Sequence, residues 1–311
     1  MDRAAVRRDS YDVSQATAVL VREGEVATRE GHLLRVPARD VVGPQLTVYV
    51  GWEESPAGGH DLVALVPADA PADAAAATPP ATPAPASADA PAATPAPASA
   101  EDVTWTGLRE FFALCARVGE AAAADREVAA TAVALAAWHH SAPRCGVCGS
   151  ATEVRKGGWV RWCEHCRKEH YPRTDPAVIV AITDPEDRLL IAHASYWAER
   201  RFSHLAGYVE PGESLEQAVH REVGEEAGLR VRDIRYVASQ PWPFPASLMT
   251  GFTARVDDPT LTLDNDEITE AIFVTRAELA AMEADGSVLL PPVGSIARRL
   301  MEDWYGGPLG R

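Results

Sequence analysis

Apolar and polar positions divide the chain into stretches of different periodicity. Short apolar runs separated by Gly, Pro and Asp predict strands at residues 33–37, 46–52 and 61–67. Residues 107–139 are rich in Ala and Leu with charges recurring on one side, which predicts a helical pair. Beyond residue 172, apolar strand patterns are interleaved with helical patterns near 214–227 and 294–304. That alternation predicts a layered domain of about 130 residues that contains both strands and helices.

A segment of low complexity interrupts the first part of the chain. Residues 68–100 consist almost wholly of Ala, Pro, Ser, Thr and Asp, and the string ATPAPASA occurs twice, at 81–88 and 93–100. Proline breaks helices and small side chains bury little surface, so we expect a flexible or partly extended insertion that holds no site.

Four of the five cysteines form two closely spaced pairs, Cys145 with Cys148 and Cys163 with Cys166. Two CxxC pairs favour a structural zinc site, in which four thiolates surround Zn²⁺ tetrahedrally and leave no open position for substrate. His165 and His170 lie nearby but are not needed as ligands. Cys115 stands apart and is expected to be a small buried hydrophobic residue.

Targeting signals and charge narrow the class of protein further. The first twenty residues lack an uninterrupted apolar core, and no apolar run approaches the roughly 18 residues of a membrane span. We therefore expect a soluble, cytoplasmic protein, in which metal binding is favoured over disulfides. Asp and Glu (45) outnumber Lys and Arg (29), and the net charge of −16 argues against a non-specific nucleic-acid binder.

The helix near 214–227 carries carboxylates on a stripe that begins apolar. Ser214 is a capping residue and Gly228 a typical terminating glycine. Residues spaced three and four apart fall on one face, in the order Leu215, Ala218, Val219, Glu222, Glu225 and Glu226. Three like charges continuing a core-facing row repel one another, and a divalent cation such as Mg²⁺ or Mn²⁺ would remove that cost. On this pattern alone, a metal site and a solvated charge cluster both stay open.

Residues 207–229, GYVEPGESLEQAVHREVGEEAGL, resemble the Nudix box at every fixed position. The matching residues are Gly207, Glu213, Arg221, Glu222, Val223, Glu225, Glu226, Gly228 and Leu229. The resemblance implies an α/β/α sandwich with a mixed sheet and hydrolysis of a nucleoside diphosphate linked to another moiety. It also implies that Glu222, Glu225 and Glu226 are catalytic ligands of Mg²⁺ or Mn²⁺. Gly207, Glu213 and Arg221 would hold the loop and helix in place.

Residues 239–247, SQPWPFPAS, are similar to the motif of the NADH pyrophosphatase branch of that superfamily. Its alternating prolines favour a stiff Pro-rich loop that could form a wall for a flat heteroaromatic ring. The resemblance assigns substrate binding to Gln240, Pro241, Trp242, Pro243, Phe244, Pro245, Ala246 and Ser247. The resemblance also implies substrate contacts at Tyr171, Tyr208, Ala297 and Arg109. Ala206 and Glu267 would be further metal ligands, with Glu270 as the competitor of Glu267.

The resemblance covers residues 103–304 and, more weakly, the N-terminus. Together with the patterns, it predicts an α+β chain with three domains: a β-rich N-terminal domain with helices over 1–142, a zinc ribbon over 143–172 and a Nudix domain over 173–311. The implied reaction cleaves NADH or NAD⁺ to the nicotinamide mononucleotide and AMP, and also removes NAD caps from RNA. A homodimer is implied as well.

Two alternatives to this function stay open at this point. The first is a Nudix hydrolase of ADP-ribose or another nucleotide sugar, against which the intact motif at 239–247 argues. The second is a non-catalytic zinc-ribbon protein that binds RNA or a protein partner, against which the complete set of glutamates and the net charge argue.

Overall fold

The computed structural model describes residues 1–41, 45–54, 58–67 and 103–310. It divides into two compact units, Met1–Pro172 and Arg173–Arg311. The insertion expected at 68–100 lies outside the described residues. Within the described part of the chain, no helix is both long and apolar enough to cross a membrane.

A seven-stranded sheet forms the N-terminal part of the first unit. Its strands are β1 Thr17–Arg22, β2 Glu25–Arg29, β3 His32–Leu33, β4 Val36–Pro37, β5 Gln45–Glu53, β6 His60–Pro67 and β7 Thr104–Gly107. The order is β3-β2-β1-β6-β5, with β4 also pairing β1 and β7 pairing β2. The strand predicted at 33–37 is wrong as one element, because the chain forms two short strands that pair with different neighbours.

Two helices and a small sheet complete the first unit. The helices are α1 Leu108–Val118 and α2 Ala123–Ser141, which confirms the helical pair. The small antiparallel sheet has the order β10-β9-β8 and consists of β8 Glu153–Arg155, β9 Val160–Cys163 and β10 Lys168–His170. Cys115 is buried in α1, as expected, and burial raises the pKa of its thiol to about 11.

A buried His–Arg pair joins α2 to the small sheet. His139 donates from Nε2 to the carbonyl oxygen of Gly158 at 2.8 Å and accepts at Nδ1 from Arg161 at 2.8 Å. Burial lowers the pKa of His139 to about 4, which keeps its ring neutral and able to accept that bond. Arg161 also donates to the hydroxyl of Thr152 at 2.7 Å, so its charge is shared among neutral acceptors.

The second unit is built on a six-stranded mixed sheet. Its strands are β11 Asp175–Thr183, β12 Leu189–Ala194, β13 Leu205–Tyr208, β14 Val231–Trp242, β15 Ser247–Val256 and β16 Ile268–Val274. The order is β14-β15-β11-β12-β16, and β13 pairs with β11. β11 and β15 run parallel, whereas the other pairs are antiparallel. The continuous apolar run of β11 is explained by burial of both of its faces.

Helices cover both faces of this sheet. Helix α3 Leu215–Ala227 packs with Val178 and Val180 on one side. Helices α4 Arg276–Asp285 and α5 Ile296–Tyr305 pack with Ile179 and Ala181 on the other. The alternation of β11 residues between two cores confirms the α+β class and the α/β/α sandwich predicted for this part of the chain.

Candidate active site and zinc site

The ends of α3 fix the position of its carboxylates. The side chain of Ser214 accepts a hydrogen bond from the backbone N–H of Gln217, and the side-chain oxygen of Gln217 accepts one from the backbone N–H of Ser214, forming a capping box. Gly228 ends the helix at φ +68°, where a Cβ atom would lie 2.8 Å from Cβ of Thr262. Both predicted ends are confirmed.

The three glutamates of α3 differ sharply in exposure. Glu226 is 4% exposed, Glu222 keeps 13% of its side chain exposed, and Glu225 keeps 63%. The prediction that all three face the interior is therefore wrong for Glu225. At about 100° per residue, Glu225 lies roughly 100° around the helix from Glu226 and 60° from Glu222, on the solvent side.

Glu226 has a buried oxygen, Oε2, with no hydrogen-bond partner among the described residues. Burial is the largest cause that raises the pKa of Glu226 to about 8, and the nearby charges of Glu267, Glu222 and Asp264 contribute to that rise. Burial also raises the pKa of Glu222. A buried oxygen with no donor among like charges fits a divalent cation.

Arg221 organises the carboxylates around it. It donates to both oxygens of Glu213, at 2.8 and 3.0 Å, and to the carbonyl oxygen of Tyr208 at 2.8 Å. Its Nη1 atom donates to Glu222 at 2.8 Å and to Glu225 at 3.2 Å. These bonds raise the pKa of Arg221 and lower that of Glu213. Arg221 thus ties the end of β13 and the loop before α3 to two of the three glutamates.

Gly207 leaves the space that Glu222 occupies. A Cβ atom on Gly207 would lie 1.9 Å from the carboxyl carbon of Glu222 and about as close to both of its oxygens. Any larger residue at 207 would displace that carboxylate, so the glycine is required by close approach.

The segment 239–247 continues two strands around a tight turn. The expectation of a loop is wrong: Ser239 to Trp242 extend β14, residues 243–246 form the turn, and Ser247 begins β15. Pro241 lies opposite Leu248 within the pairing, which is allowed because β14 is an edge strand that needs no second partner. The peptide bond between Phe244 and Pro245 is cis.

Side chains of this hairpin meet the strand that carries Gly207. The hydroxyl groups of Tyr208 and Ser247 lie 3.0 Å apart, and the rings of Trp242 and Phe244 lie 4.9 Å apart at 66°. Pro243 is buried in the turn, and the carbonyl oxygen of Ala246 accepts from the backbone of Asp175.

Gln240 and His204 hold the first turn of α5. Gln240 donates to the carbonyl oxygen of Gly294 at 2.9 Å and accepts from the N–H of Ile296 at 2.8 Å. The ring of His204 donates to the carbonyl oxygen of Ala297 at 3.2 Å. Ala297 is thereby fixed beside the hairpin, and both the nitrogen and the oxygen of the Gln240 amide bind backbone groups.

Sequence reasoning missed two residues near the acidic cluster. Asp264 accepts from the backbone of Glu267 and Ile268, and its charge also acts on Glu226. Desolvation raises the pKa of Tyr196, and the charges of Glu267 and Glu226 raise it as well. The backbone N–H of Ser195 donates to the carbonyl oxygen of Glu267 at 2.9 Å. The signal for Asp264 is its place three residues before Glu267, which is typical of an Asp that caps a turn.

Of the two glutamates considered as a further metal ligand, Glu267 is the one that acts on the carboxylates of α3. Glu267 acts electrostatically on both Glu222 and Glu226, whereas Glu270 lies opposite His193 in the sheet.

Tyr171 and Arg109, two further residues predicted to contact substrate, belong to the first unit. Tyr171 is exposed there and its hydroxyl donates to Glu169, and Arg109 is exposed in the first turn of α1.

The four paired cysteines converge as the spacing predicts. The sulfur atoms of Cys145, Cys148, Cys163 and Cys166 all lie within 4.8 Å of one another, the one such group among the described residues. The Cys148–Cys163 and Cys145–Cys166 separations are 3.6 and 4.0 Å. Four sulfurs at 2.3 Å from a tetrahedral Zn²⁺ would lie about 3.8 Å apart, so the cluster fits zinc.

The thiols of this cluster cannot all ionise unaided. Hydrogen bonds from Ser150 lower the pKa of Cys148 to about 6, whereas neighbouring thiols raise that of Cys166 to about 12. Backbone N–H groups of Val147 and Cys166 point at the sulfurs of Cys145 and Cys163, both at 3.4 Å. A dication is the group that allows four thiolates in this space.

Comparisons with known proteins agree with this architecture. Residues 173–291 match the NUDIX domain, and residues 140–171 match the NADH pyrophosphatase zinc ribbon domain. The resemblance seen in the sequence is thereby confirmed for both segments.

Curated relatives are 44% identical to this chain within the aligned part. "NAD-capped RNA hydrolase NudC" of Mycobacterium bovis is 44% identical over 187 residues, which cover 57% of this chain and 60% of that protein. The protein of the same name from Salmonella paratyphi B is 44% identical over 179 residues, covering 57% of this chain and 65% of that protein. The chain therefore spans less than two thirds of the length of these relatives.

Among solved structures, a NUDIX hydrolase from Nitrosomonas europaea is 22% identical, with a TM-score of 0.42. The match covers 54% of this chain and 96% of that one.

Proposed function

Because residues 173–291 form a Nudix domain directly after a zinc ribbon of the NADH pyrophosphatase type, we propose that this protein hydrolyses the diphosphate bond of NADH and NAD⁺. Water adds to one phosphorus atom, and the products are the nicotinamide mononucleotide and AMP. The same reaction removes the NAD cap from the 5′ end of RNA. The observation that carries the proposal is the buried carboxylate of Glu226, whose Oε2 atom has no partner among the described residues, in the same unit as the SQPWPFPAS hairpin.

Mg²⁺ or Mn²⁺ is the cofactor that suits the acidic cluster. Glu222, Glu225, Glu226 and Glu267, with the backbone of Ala206, would hold it, since carboxylate and carbonyl oxygens are the ligands these ions prefer. When bound, such an ion neutralises phosphate oxygens and lowers the pKa of a coordinated water. The unpaired Oε2 atom of Glu226 supports this assignment.

The remaining residues of the box position these carboxylates. Arg221 holds Glu222 and Glu225 through one guanidinium nitrogen and anchors itself on Glu213 and Tyr208. Because Glu213 and the carbonyl oxygen of Tyr208 fix the guanidinium, the two carboxylates that it binds are oriented before substrate arrives. This lowers the reorganisation that the reaction requires.

The hairpin supplies the surface for the dinucleotide. Trp242 and Phe244 offer aromatic rings, and the hydroxyl pair of Tyr208 and Ser247 offers both a donor and an acceptor beside them. We assign substrate contacts to these residues and to Pro241, Pro243, Pro245, Ala246, Ala297, Tyr171 and Arg109. For Gln240 we assign the positioning of Ala297, since its amide binds the backbone at the start of α5.

Zinc has a structural role in this proposal. A shell of four thiolates leaves no open position for substrate, so the ion would stabilise the ribbon and take no part in hydrolysis. Four reduced thiols suit the cytoplasm, which we propose as the compartment. A homodimer is proposed on the family resemblance alone.

Product analysis tests the proposed function directly. Purified protein is given NADH, NAD⁺, NAD-capped RNA or ADP-ribose with Mg²⁺ or Mn²⁺, and kcat/KM is compared with the metal left out. We expect metal-dependent release of nicotinamide mononucleotide from the first three. Faster cleavage of ADP-ribose than of NADH would favour the nucleotide-sugar alternative, and no hydrolysis of any substrate would favour the non-catalytic binding protein.

A variant of the hairpin separates recognition from packing. Trp242→Ala is expected to weaken the discrimination between NADH and ADP-ribose, because the lost ring is worth about 1–3 kcal/mol when it stacks on a base. Equal selectivity in the variant and the native protein would mean that Trp242 only packs within the hairpin.

A further inference from the structure

Two arginines of the first unit stack on one tryptophan ring. The guanidinium carbon of Arg8 lies 3.8 Å from the centre of the Trp159 ring, and that of Arg3 lies 5.8 Å from the same centre. Trp159 is fixed by a 2.7 Å hydrogen bond from its Nε1 atom to the carbonyl oxygen of Tyr49. Two cations thus share one anchored aromatic ring.

The two arginines that precede Arg8 in the chain, Arg3 and Arg7, each bind a carboxylate. Arg7 makes two hydrogen bonds to Asp61, at 2.7 and 2.8 Å, while it stacks on Trp52 at 4.1 Å. Arg3 pairs with Glu127 at 3.3 Å. Arg8 pairs with no carboxylate among residues 1–41, 45–54, 58–67 and 103–310, and its Nε atom is buried without a partner.

The surroundings of Arg8 favour an anion. Burial and the charge of Arg3 lower its pKa, and no carboxylate is among the groups that act on it. Stacking on an aromatic ring offsets only part of the cost of burying such a cation. The backbone of Arg8 lies close to Gly157, where a Cβ atom would lie 3.0 Å from the Arg8 carbonyl oxygen. A planar guanidinium with free donors is suited to two oxygens of a phosphate.

We propose that Arg8, stacked on Trp159 beside Arg3, forms an oxyanion site for a backbone phosphate of the RNA whose NAD cap the protein removes. This site rests on the proposed function for its occupant. NAD itself ends at its adenosine, so only the capped RNA has further phosphates to offer. Once the capped end is bound, any second contact with the same RNA is intramolecular and raises affinity without changing the chemistry at the cap.

Charge reversal of Arg8 tests the site. Arg8→Glu is compared with Arg29→Glu, which makes the same charge change at an exposed position at the end of β2 in the same unit. We expect Arg8→Glu to raise KM for an RNA of about 20 nucleotides carrying a 5′-NAD cap roughly tenfold, with NAD⁺ hydrolysis unchanged. The dependence of log KM on log salt between about 50 and 200 mM should also weaken by about 0.7. Arg29→Glu should change KM for the capped RNA less than twofold.

Further variants separate the remaining explanations. Arg8→Gln guards against misfolding of the charge-reversed protein and should show a smaller rise in the same KM, while Arg8→Lys should restore part of the affinity. Equal losses on NAD⁺ and capped RNA, or equal effects of Arg8→Glu and Arg29→Glu, would overturn the proposal. Inorganic phosphate can also be titrated while tryptophan fluorescence is followed. If phosphate quenches the native protein but not Arg8→Glu, and the KM for capped RNA is the same in both, the site binds free phosphate and the proposal is wrong.

Failure of the proposed function is recognised separately. If the native protein cleaves neither NAD⁺ nor capped RNA, the enzymatic assignment is wrong. Binding of uncapped RNA, followed by fluorescence anisotropy in the same variants, then still decides whether Arg8 holds a phosphate. Identical binding by the native protein and Arg8→Glu would exclude it.

Discussion

Replacing Glu226 with Gln separates the charge of this buried carboxylate from its shape. Gln has nearly the same shape as Glu and keeps one oxygen acceptor, so the local backbone should stay in place. The amide is neutral and a poor metal ligand, so we expect turnover to fall by at least about a thousandfold. The same change should make the protein more stable in the absence of divalent cation.

The magnitude follows from the pKa of Glu226, which is about 8 against an ordinary value of 4.5. Each unit corresponds to about 1.4 kcal/mol, so ionising Glu226 in the metal-free fold costs on the order of 5 kcal/mol. Below pH 4.5 the carboxyl is protonated in both states and costs nothing. Between pH 4.5 and 8 the folded protein binds more protons than the unfolded chain, so stability falls as pH rises and the full cost applies above pH 8.

Urea denaturation at pH 4.5 and pH 8.5, without added Mg²⁺, measures this difference. The free energy of unfolding of Glu226→Gln should exceed that of the native protein by several kcal/mol at pH 8.5. At pH 4.5 the two free energies should agree within about 1 kcal/mol. Added Mg²⁺ should stabilise the native protein and have little effect on the variant. Glu216→Gln, exposed on the same helix, is the matched control and should behave as the native protein in every assay. Normal turnover of Glu226→Gln, or a variant less stable than the native protein at pH 8.5, would refute the reasoning.

Three further predictions follow from individual contacts. Gly207→Ala should push the Glu222 carboxylate aside and lower kcat about a hundredfold with little change in circular dichroism, because a shift near 1 Å costs that much; unchanged kcat would contradict the crowding. Gln240→Leu leaves a carbonyl and an N–H at the start of α5 without partners and should cost about 1–3 kcal/mol in thermal unfolding while raising KM more than kcat falls. Since the pKa of His139 is lowered to about 4, its neutral ring stabilises the fold above pH 6.5, and roughly 3 kcal/mol should be lost as pH falls to 4. His139→Gln should lack this pH-dependent part in urea titrations, and an equal slope in both proteins would refute it.

The sequence predicts most of the second unit because local signals and packing agree there. Ser214 and Gly228 carry the chemistry of helix ends, and the structure places both ends of α3 at them. The apolar run of β11 needs two covered faces, which the helices supply. The four cysteines are equally predictable, since two CxxC pairs have few arrangements other than a tetrahedral cluster.

The features that the sequence does not predict depend on contacts between distant segments. The hairpin at 239–247 reads as a loop because three prolines suppress strand formation, yet an edge strand tolerates Pro241. Gln240 looks like a substrate contact until its amide is seen bonded to Gly294 and Ile296, more than fifty residues away. The outward position of Glu225 depends on the exact phase of α3, which a stripe of residues three and four apart describes only to within a broad arc.

The different exposure of Glu225 and Glu226 suggests a division of labour within one acidic cluster. A buried carboxylate such as Glu226 gains most from a cation, because it has no water to stabilise its charge and one oxygen without a donor. Glu225, exposed and paired with Arg221 at 3.2 Å, is already stable as an anion and gains less. Removing Glu226 should therefore weaken dication affinity more than removing Glu225. Magnesium titrations of Glu226→Gln and Glu225→Gln, followed by thermal stabilisation, measure this order, and a larger loss for Glu225→Gln would show that burial does not set the affinity.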